Sequence, residues 1–172
     1  MSTLLRKHDF DEVFDGQKVF RLILEAMSYP MAVVNIKEYA DKLYGGYPAL
    51  MAVALTLLDN EVSFCVCEDD ELADEIASLT LSKKEEPEDA DFIFVLSPGD
   101  LRNAIENAKC GTLADPHKSA TIIIQNDGSS QLLKDAILLR DEQNYEYPQG
   151  IDLLFISEGG ELYGICRGVR RQ

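Results

Sequence analysis

Three residues of this chain could perform acid–base or anion-binding chemistry if the fold brought them together: His117, Asp152 and Arg167. Asp152 precedes an apolar run, Leu153 to Ile156, that is typical of a strand covered on both faces. An unpaired buried carboxylate is costly, and acids with perturbed pKa values cluster at functional sites. The sequence favours a structural interpretation, in which Asp152 pairs with a backbone amide or with Arg167. A catalytic interpretation requires all three side chains to converge on one cleft.

The close cysteine pair, Cys65 and Cys67, is the first candidate for a metal site. Residues two apart on a strand face the same side, and free cysteines behave as small buried hydrophobic residues. A zinc site would need two further ligands, which the neighbouring sequence does not supply. The acidic run at 68–71 lacks the alternating acids and central glycine of a calcium loop, so it predicts a solvated helix start. We therefore predict no metal site.

Motifs for nucleotide binding or nucleophilic catalysis are missing from the sequence. It contains neither the G-x-G-x-x-G pattern after a strand nor the P-loop pattern G-x-x-x-x-G-K-[ST]. A Ser-His-Asp triad would need one of the two histidines. His8 falls in a polar N-terminal arm, residues 1–16, and His117 follows Asp115-Pro116 in a loop, where a solvated histidine is the ordinary outcome. We predict no catalytic residue and no cofactor.

Composition limits the class of protein. The chain has 172 residues, of which 46% are hydrophobic, so we expect a single globular domain over residues 1–172. A formal net charge of −15 argues against a nucleic-acid partner, because phosphates attract Lys and Arg. There is no signal peptide pattern and no apolar run long enough to cross a membrane. The four cysteines are expected to be reduced, which favours a cytoplasmic protein.

Apolar spacing and turn residues predict helices and strands in alternation along most of the chain. Helices are expected over 17–29 (stopped by Pro30), over 49–58, around Leu72 to Leu79, and from the Ser97-Pro98 cap to about Ala108. Strands are expected at Met31 to Ile36, Val62 to Cys67, Phe92 to Leu96, Ala120 to Gln125, Gln131 to Leu139, Ile151 to Ser157 and Leu162 to Cys166, with Lys83 to Asp89 as a charged loop. The two last strands should form a hairpin, as should the strands on either side of Asn126-Asp127-Gly128. The pattern predicts a three-layer α/β/α domain with a mixed, mostly parallel sheet.

Four segments, in this order, resemble the family of the carbon–phosphorus lyase system protein PhnH. They are Phe20 to Pro30, the helix end Ala54 to Asp59, Cys110 to Thr121, and Tyr147 to Leu153 with its Pro-x-Gly-Ile-Asp step. The chain departs from the family pattern at Leu133 to Ile137, where a glycine-rich segment is common, and in the short connection from Arg140 to Glu146. It also has Cys166-Arg167-Gly168 where the family commonly has a Pro-Arg-Thr step.

The resemblance implies a non-catalytic subunit of the bacterial carbon–phosphorus lyase core complex. That complex couples a phosphonate to the ribose of ATP with release of adenine. The resemblance also implies a fold similar to the pyridoxal-phosphate-dependent transferases without the cofactor, and partners that are a second copy and the other core subunits. The family-motif positions expected to serve structure or an interface are Arg21, Asp59, Gly111, Thr112, Pro116, Gly150, Asp152 and Arg167. The alternatives are a small stand-alone enzyme or a ligand-binding module acting on a phosphorylated or phosphonate ligand.

Overall fold

The computed structural model describes residues 8–29, 32–126, 128 and 130–167. The helices of this part are α1 (Phe14–Ser28), α2 (Lys37–Ala40), α3 (Pro48–Leu57), α4 (Asp70–Thr80), α5 (Leu101–Asn107) and α6 (Ser130–Glu142). The strands are β1 (Val34–Asn35), β2 (Ser63–Val66), β3 (Lys83–Lys84), β4 (Phe92–Val95), β5 (Thr121–Asn126), β6 (Asp152–Ser157) and β7 (Glu161–Ile165). None of the described helices combines the length and the apolar character needed to cross a bilayer.

The strands form one sheet in the order β1-β7-β6-β5-β4-β2-β3. The pairs from β6 to β3 are parallel, whereas β7 runs antiparallel to both β6 and β1. The starts of β5 and β6 therefore meet the end of β7 at one edge, which we call the amino edge. The ends of β5 and β6 meet at the opposite edge, the carboxyl edge. This mixed, mostly parallel sheet confirms the predicted α/β class.

Helices cover both faces of the sheet because successive strand residues point to opposite sides. On β5, Ile123 joins the core formed with α1, α3 and α4, while Ile122 and Ile124 join the core formed with α5 and α6. The helix α3 is buried from Ala49 to Ala54 because its residues there are small or apolar on every side. The run Leu153 to Ile156 is buried in β6, between β5 and β7, as predicted for a central strand.

The strand predicted near Gln131 to Leu139 is wrong, because these residues lie in α6. Leu132, Ala136 and Leu139 are the buried apolar residues of α6, at the spacings of four and three that place them on one helix face. Topology explains the difference as well. Since β5 and β6 are parallel neighbours, the chain between them must cross over the sheet, and a hairpin cannot do this.

The N-terminal part also differs in detail from the sequence-based expectation. Helix α1 begins at Phe14, inside the predicted polar arm, and Phe10 of that arm is buried. The strand predicted from Met31 to Ile36 is reduced to the two residues of β1. The predicted helix stop, Pro30, lies outside the described residues, as do Met31 and the tail arginines Arg170 and Arg171. The hairpin of β6 and β7 is confirmed.

Two predicted boundaries in the middle of the chain are corrected as well. The expected charged loop from Lys83 to Asp89 contains the short edge strand β3, which pairs with β2. Pro87 helps to explain why β3 is short, because proline has no N–H to donate to a neighbouring strand. Ser97 makes no capping hydrogen bond through its side chain, and a 3-10 turn at Pro98–Asp100 precedes α5. Helix α4 is capped by Asp69, which accepts a hydrogen bond from the Leu72 amide.

Candidate functional site

Asp152 and Arg167 form the centre of the candidate site at the amino edge. Asp152 is the first residue of β6, and Arg167 follows the end of the antiparallel neighbour β7. The Arg167 amide donates to Oδ1 of Asp152 at 2.7 Å, and its Nη2 donates to Oδ2 at 3.0 Å. The two side chains are only 18% and 23% exposed, which shields the ion pair from solvent. The predicted pairing of Asp152 with a backbone amide and with Arg167 is confirmed.

The Arg167 guanidinium also reaches the loop between α5 and β5. Its Nη1 donates a hydrogen bond to the backbone oxygen of Pro116. Arg167 thus ties Asp152 to the residue directly before His117. The His117 side chain is itself exposed, and it makes no hydrogen bond or ion pair within the described residues. The fold therefore brings Asp152 and Arg167 together, and it leaves the imidazole outside their contact.

Two glycines let the backbone segments approach closely around Arg167. Gly150 has φ +151°, and a Cβ at this position would lie 2.9 Å from the Cβ of Arg167. Gly111 has φ +77°, and a Cβ there would lie 2.8 Å from the Pro116 oxygen that Arg167 binds. Both values are shorter than an ordinary carbon contact, and the backbone conformations favour glycine. The close approach requires glycine at both positions.

Hydrogen bonds fasten the two family-like segments of this region to each other. The Gly150 amide donates to the Cys110 oxygen at 3.0 Å, and Gln149 Nε2 donates to the Gly111 oxygen at 3.1 Å. Within the loop, Thr112 Oγ1 accepts from the Asp115 amide at 2.9 Å. Thr112 also donates through its backbone to the Asp115 oxygen at 3.3 Å. These bonds shape the turn that presents the Pro116 oxygen to Arg167.

Two nearby side chains that could act as nucleophiles, the thiol of Cys166 and the phenol of Tyr145, are unsuited to that role. Burial and the nearby carboxylate of Asp152 raise the pKa of Cys166, against a smaller opposite effect of Arg167 and Arg140. Its thiol is occupied, donating to the Met27 oxygen at 2.8 Å. Burial likewise raises the pKa of Tyr145 to about 12. Both side chains are therefore protonated at neutral pH, in the form that is the weaker nucleophile.

Buried Arg140 supports the same region from α6, and sequence reasoning did not single it out. It is 3% exposed, and its Nη1 donates to the oxygens of Ile165 and Cys166 at 3.4 and 3.2 Å. These carbonyls lie at the end of β7, directly before Arg167. No local sequence signal separates Arg140 from a surface arginine, because its burial depends on how α6 crosses the sheet.

The position of this site in the sheet bears on its chemistry. In open α/β sheets, ligands commonly bind outside the carboxyl ends of the strands, whereas Asp152 and Arg167 lie at the amino edge. Two cavities of about 270 and 310 Å³ occur elsewhere among the described residues, and neither is lined by His117, Asp152 or Arg167. The arrangement is suited to holding three chain segments together: the loop at Pro116, the start of β6 and the end of β7.

The eight family-motif positions named in the sequence analysis do not all lie in this site. Six of the eight family-motif positions belong to the network described above: Gly111, Thr112, Pro116, Gly150, Asp152 and Arg167. Arg21 is exposed on α1. Asp59 follows α3, where its Oδ1 accepts from the Glu61 amide at 2.8 Å in a local turn. The structure therefore does not bring these two residues into the site.

The cysteine pair at β2 lies apart from the site. Cys65 is half-buried and Cys67 is buried. A hydrogen bond between the thiols lowers the pKa of Cys65 and raises that of Cys67. Among the described residues, no group of three or more His, Cys, Asp or Glu side chains is placed to hold a metal ion.

A second polar cluster at the amino edge was also missed by sequence reasoning. Asp91, directly before β4, accepts hydrogen bonds from Lys109 Nζ at 2.5 Å and from the Ser63 amide at 2.9 Å. Burial alone would raise the pKa of Asp91, but the bonds from Lys109 and Ser63 outweigh it and hold the pKa below its usual value. The partners are 18 and 28 residues away in the chain, so only the fold reveals the cluster.

A family model described as "Bacterial phosphonate metabolism protein (PhnH)" matches residues 8–134. The matched part contains the first three family-like segments and ends within Leu133 to Ile137, where the sequence departs from the family pattern. The fourth segment, Tyr147 to Leu153, lies beyond it. No curated protein matches the chain.

Proposed function

Because the chain belongs to the family of bacterial phosphonate metabolism proteins (PhnH), with a role in phosphonate metabolism, we propose that it is a non-catalytic subunit of the carbon–phosphorus lyase core complex. In that role it supports the coupling of a phosphonate to the ribose of ATP with release of adenine, and other subunits perform the chemistry. The proposal thus assigns this chain a part in assembly.

The observation that carries the proposal is the use made of Arg167. Its guanidinium is committed to Asp152 and to the Pro116 oxygen, and it is largely shielded from solvent. Arg167 lines neither of the two described cavities, and the two hydrogen bonds of its guanidinium join separate segments of the chain. The histidine that a stand-alone enzyme would use, His117, is exposed and makes no hydrogen bond to Asp152 or Arg167. These features favour a structural junction over a catalytic centre.

An exposed apolar stripe on α1 is the surface that we assign to self-association. Val13, just before α1, and Phe20 and Leu24 within it are 71%, 44% and 49% exposed. Their spacing of seven and four residues places them on one side of the helix. The apolar helix α3 offers no such surface, because its residues Ala49 to Ala54 are buried in the protein's own core. We therefore propose a homodimer through the α1 stripe.

The proposal also holds that the chain does not use pyridoxal phosphate, despite the expected likeness to transferases that do. That cofactor needs a lysine for a Schiff base and an acid facing its ring nitrogen. Lys42, Lys84 and Lys109 each form an ion pair with an aspartate. Incubation with the cofactor and borohydride should label no single lysine stoichiometrically. Labelling of one lysine at unit stoichiometry would remove this part of the proposal.

A deletion strain tests the proposed function directly. A strain that lacks this gene should fail to grow with a phosphonate as its phosphorus source, and it should grow normally on phosphate. The purified protein alone should convert neither ATP nor a phosphonate, and a tagged copy expressed in the complemented strain should co-purify with the other core subunits. Turnover by the purified protein would instead support the stand-alone enzyme.

A further inference from the structure

The larger of the two described cavities lies beside β2, where the short edge strand β3 ends. Strand β3 pairs with β2 only at Ser63 and Phe64, so the last two residues of β2 have no neighbouring strand on that side. The cavity has a volume of about 310 Å³. It is a groove between Val66 of β2, Asp70 and Ala73 of α4, and residues 84–86.

The backbone of Val66 is the open part of this sheet edge. The Glu85 amide donates to the Phe64 oxygen at 2.9 Å, so the backbone groups of Phe64 point toward the β3 side. Orientation along a strand repeats every second residue, so those of Val66 point to the same side. Within the described part of the chain, neither the Val66 amide nor its oxygen has a hydrogen bond there. Pro87 cannot supply the next donor, because proline has no N–H.

The charged side chains around the groove leave two carboxylates without a basic partner. The lysine of the lining, Lys84, is already paired with an aspartate of α4, and Glu85 is paired with Lys83 at 2.7 Å. Asp70 and Glu86 are exposed and form no ion pair among the described residues. Charges across an interface are arranged to be complementary, so this pair of acids favours a basic occupant.

We propose that this groove binds a short, extended, basic segment of a partner protein as an added strand beside β2. The backbone of the segment pairs with the Val66 amide and oxygen, and its lysine or arginine side chains reach Asp70 and Glu86. In such strand addition, main-chain hydrogen bonds give affinity and the side chains give specificity. A second copy of this chain fits poorly, because its formal net charge is −15. The inference does not depend on the proposed function.

Hydrogen exchange of the Val66 amide, followed by NMR on the purified full chain, tests this inference. The probe is the hexapeptide Val-Lys-Val-Lys-Val-Lys with blocked ends. We expect the peptide to slow exchange of this amide at least about tenfold, because pairing protects it from solvent. A fully N-methylated peptide of the same sequence keeps the charge but cannot donate from its backbone, and should bind at least about fivefold more weakly. Unchanged exchange at millimolar peptide, or equal binding of the methylated peptide, would overturn the inference.

Two double substitutions separate the acids of the groove from the negative charge of the whole protein. Asp70→Asn with Glu86→Gln should weaken peptide binding about fivefold. Glu61→Gln with Glu75→Gln removes the same charge from exposed acids outside the groove, and should change binding less than about twofold. All four side chains are exposed, so both variants should stay folded. Equal losses in the two variants would show attraction to overall charge alone and would contradict the proposal.

Discussion

Gly150 lies directly against Arg167: a Cβ on the glycine would come within 2.9 Å of the Cβ of the arginine. The aliphatic part of the Arg167 side chain passes over this glycine, and its guanidinium spans Asp152 and the Pro116 oxygen. The same glycine donates its amide to the Cys110 oxygen at 3.0 Å. The glycine before Ile-Asp in the fourth family-like segment thus has a steric role at the junction.

Replacement of this glycine should be costly. We expect Gly150→Ala to lower the free energy of unfolding by about 3 kcal/mol, because it adds a steric conflict to an unfavourable backbone conformation. Gly45→Ala is the matched control, with φ +124° and no atom within 4 Å of the new Cβ, and should cost only about 1 kcal/mol. Urea denaturation measures both. Equal losses would show that the contact with Arg167 is unimportant.

The ion pair itself should contribute to stability, and the neighbouring histidine should not. Asp152→Ala leaves the shielded Arg167 without its carboxylate and should lower the free energy of unfolding by about 2 kcal/mol. His117→Ala removes an exposed side chain and should change it by less than about 0.5 kcal/mol. Thermal and urea unfolding of the two variants provide the comparison. A large loss in His117→Ala would reveal a contact absent from this account.

The Asp91 cluster predicts a dependence of stability on pH. A carboxyl whose pKa is lowered in the folded state contributes stability above its unfolded pKa, near 3.9, and loses it as the pH falls through the folded pKa. Asp91→Asn should therefore cost about 1 kcal/mol at neutral pH, after allowance for solvent screening. The difference from the native protein should be complete above about pH 5 and shrink below about pH 4.

Urea unfolding across this pH range checks the prediction for Asp91. The exposed acid Glu88 supplies the control, since Glu88→Gln removes a carboxylate that forms no ion pair or hydrogen bond within the described residues. Its effect should be small and nearly independent of pH. A cost of Asp91→Asn that stays constant down to pH 3.5 would show that the Lys109 and Ser63 bonds do not depend on the charge of Asp91.

If the protein self-associates through α1, its mass in solution should be that of a dimer, and substitutions in the α1 stripe should reduce it to that of a monomer. The native protein should have the mass of a dimer at micromolar concentration. The double substitution Phe20→Asp and Leu24→Asp should give a monomer with little change in melting temperature, because both side chains are substantially exposed. Light scattering coupled to size exclusion measures this. A native monomer, or a dimer that survives the double substitution, would exclude this surface.

The sequence predicts the fold class because the apolar runs of β4, β5 and β6 are too uniform for half-exposed strands. It also predicts the partner of Asp152, since a shielded acid needs a donor and Arg167 lies across the final hairpin. It does not predict α6, where the turn residues at 126–128 resemble those of a hairpin. A helix can be told from the second strand of a hairpin here only if β5 and β6 are known to be parallel neighbours.

Other parts of the site depend on geometry that no local pattern encodes. The contact from Arg167 to the Pro116 oxygen joins residues 51 positions apart, and it exists only because Gly111 lets the loop fold tightly. The cavity of about 270 Å³, lined by Pro48, Gln125 and Glu158, likewise combines the ends of β5 and β6 with the start of α3. Each of these segments is ordinary in sequence, so their meeting is visible only in the folded chain.

We have proposed that the chain serves phosphonate metabolism as an assembly subunit without acid–base chemistry of its own. Growth of the deletion strain on a phosphonate, complemented with His117→Ala, tests it most directly, since His117 is the histidine that a catalytic role at this junction would need. We expect growth at the native rate, with native levels of folded protein. A variant that is folded and still co-purifies with the core subunits, but does not support growth, would contradict the claim.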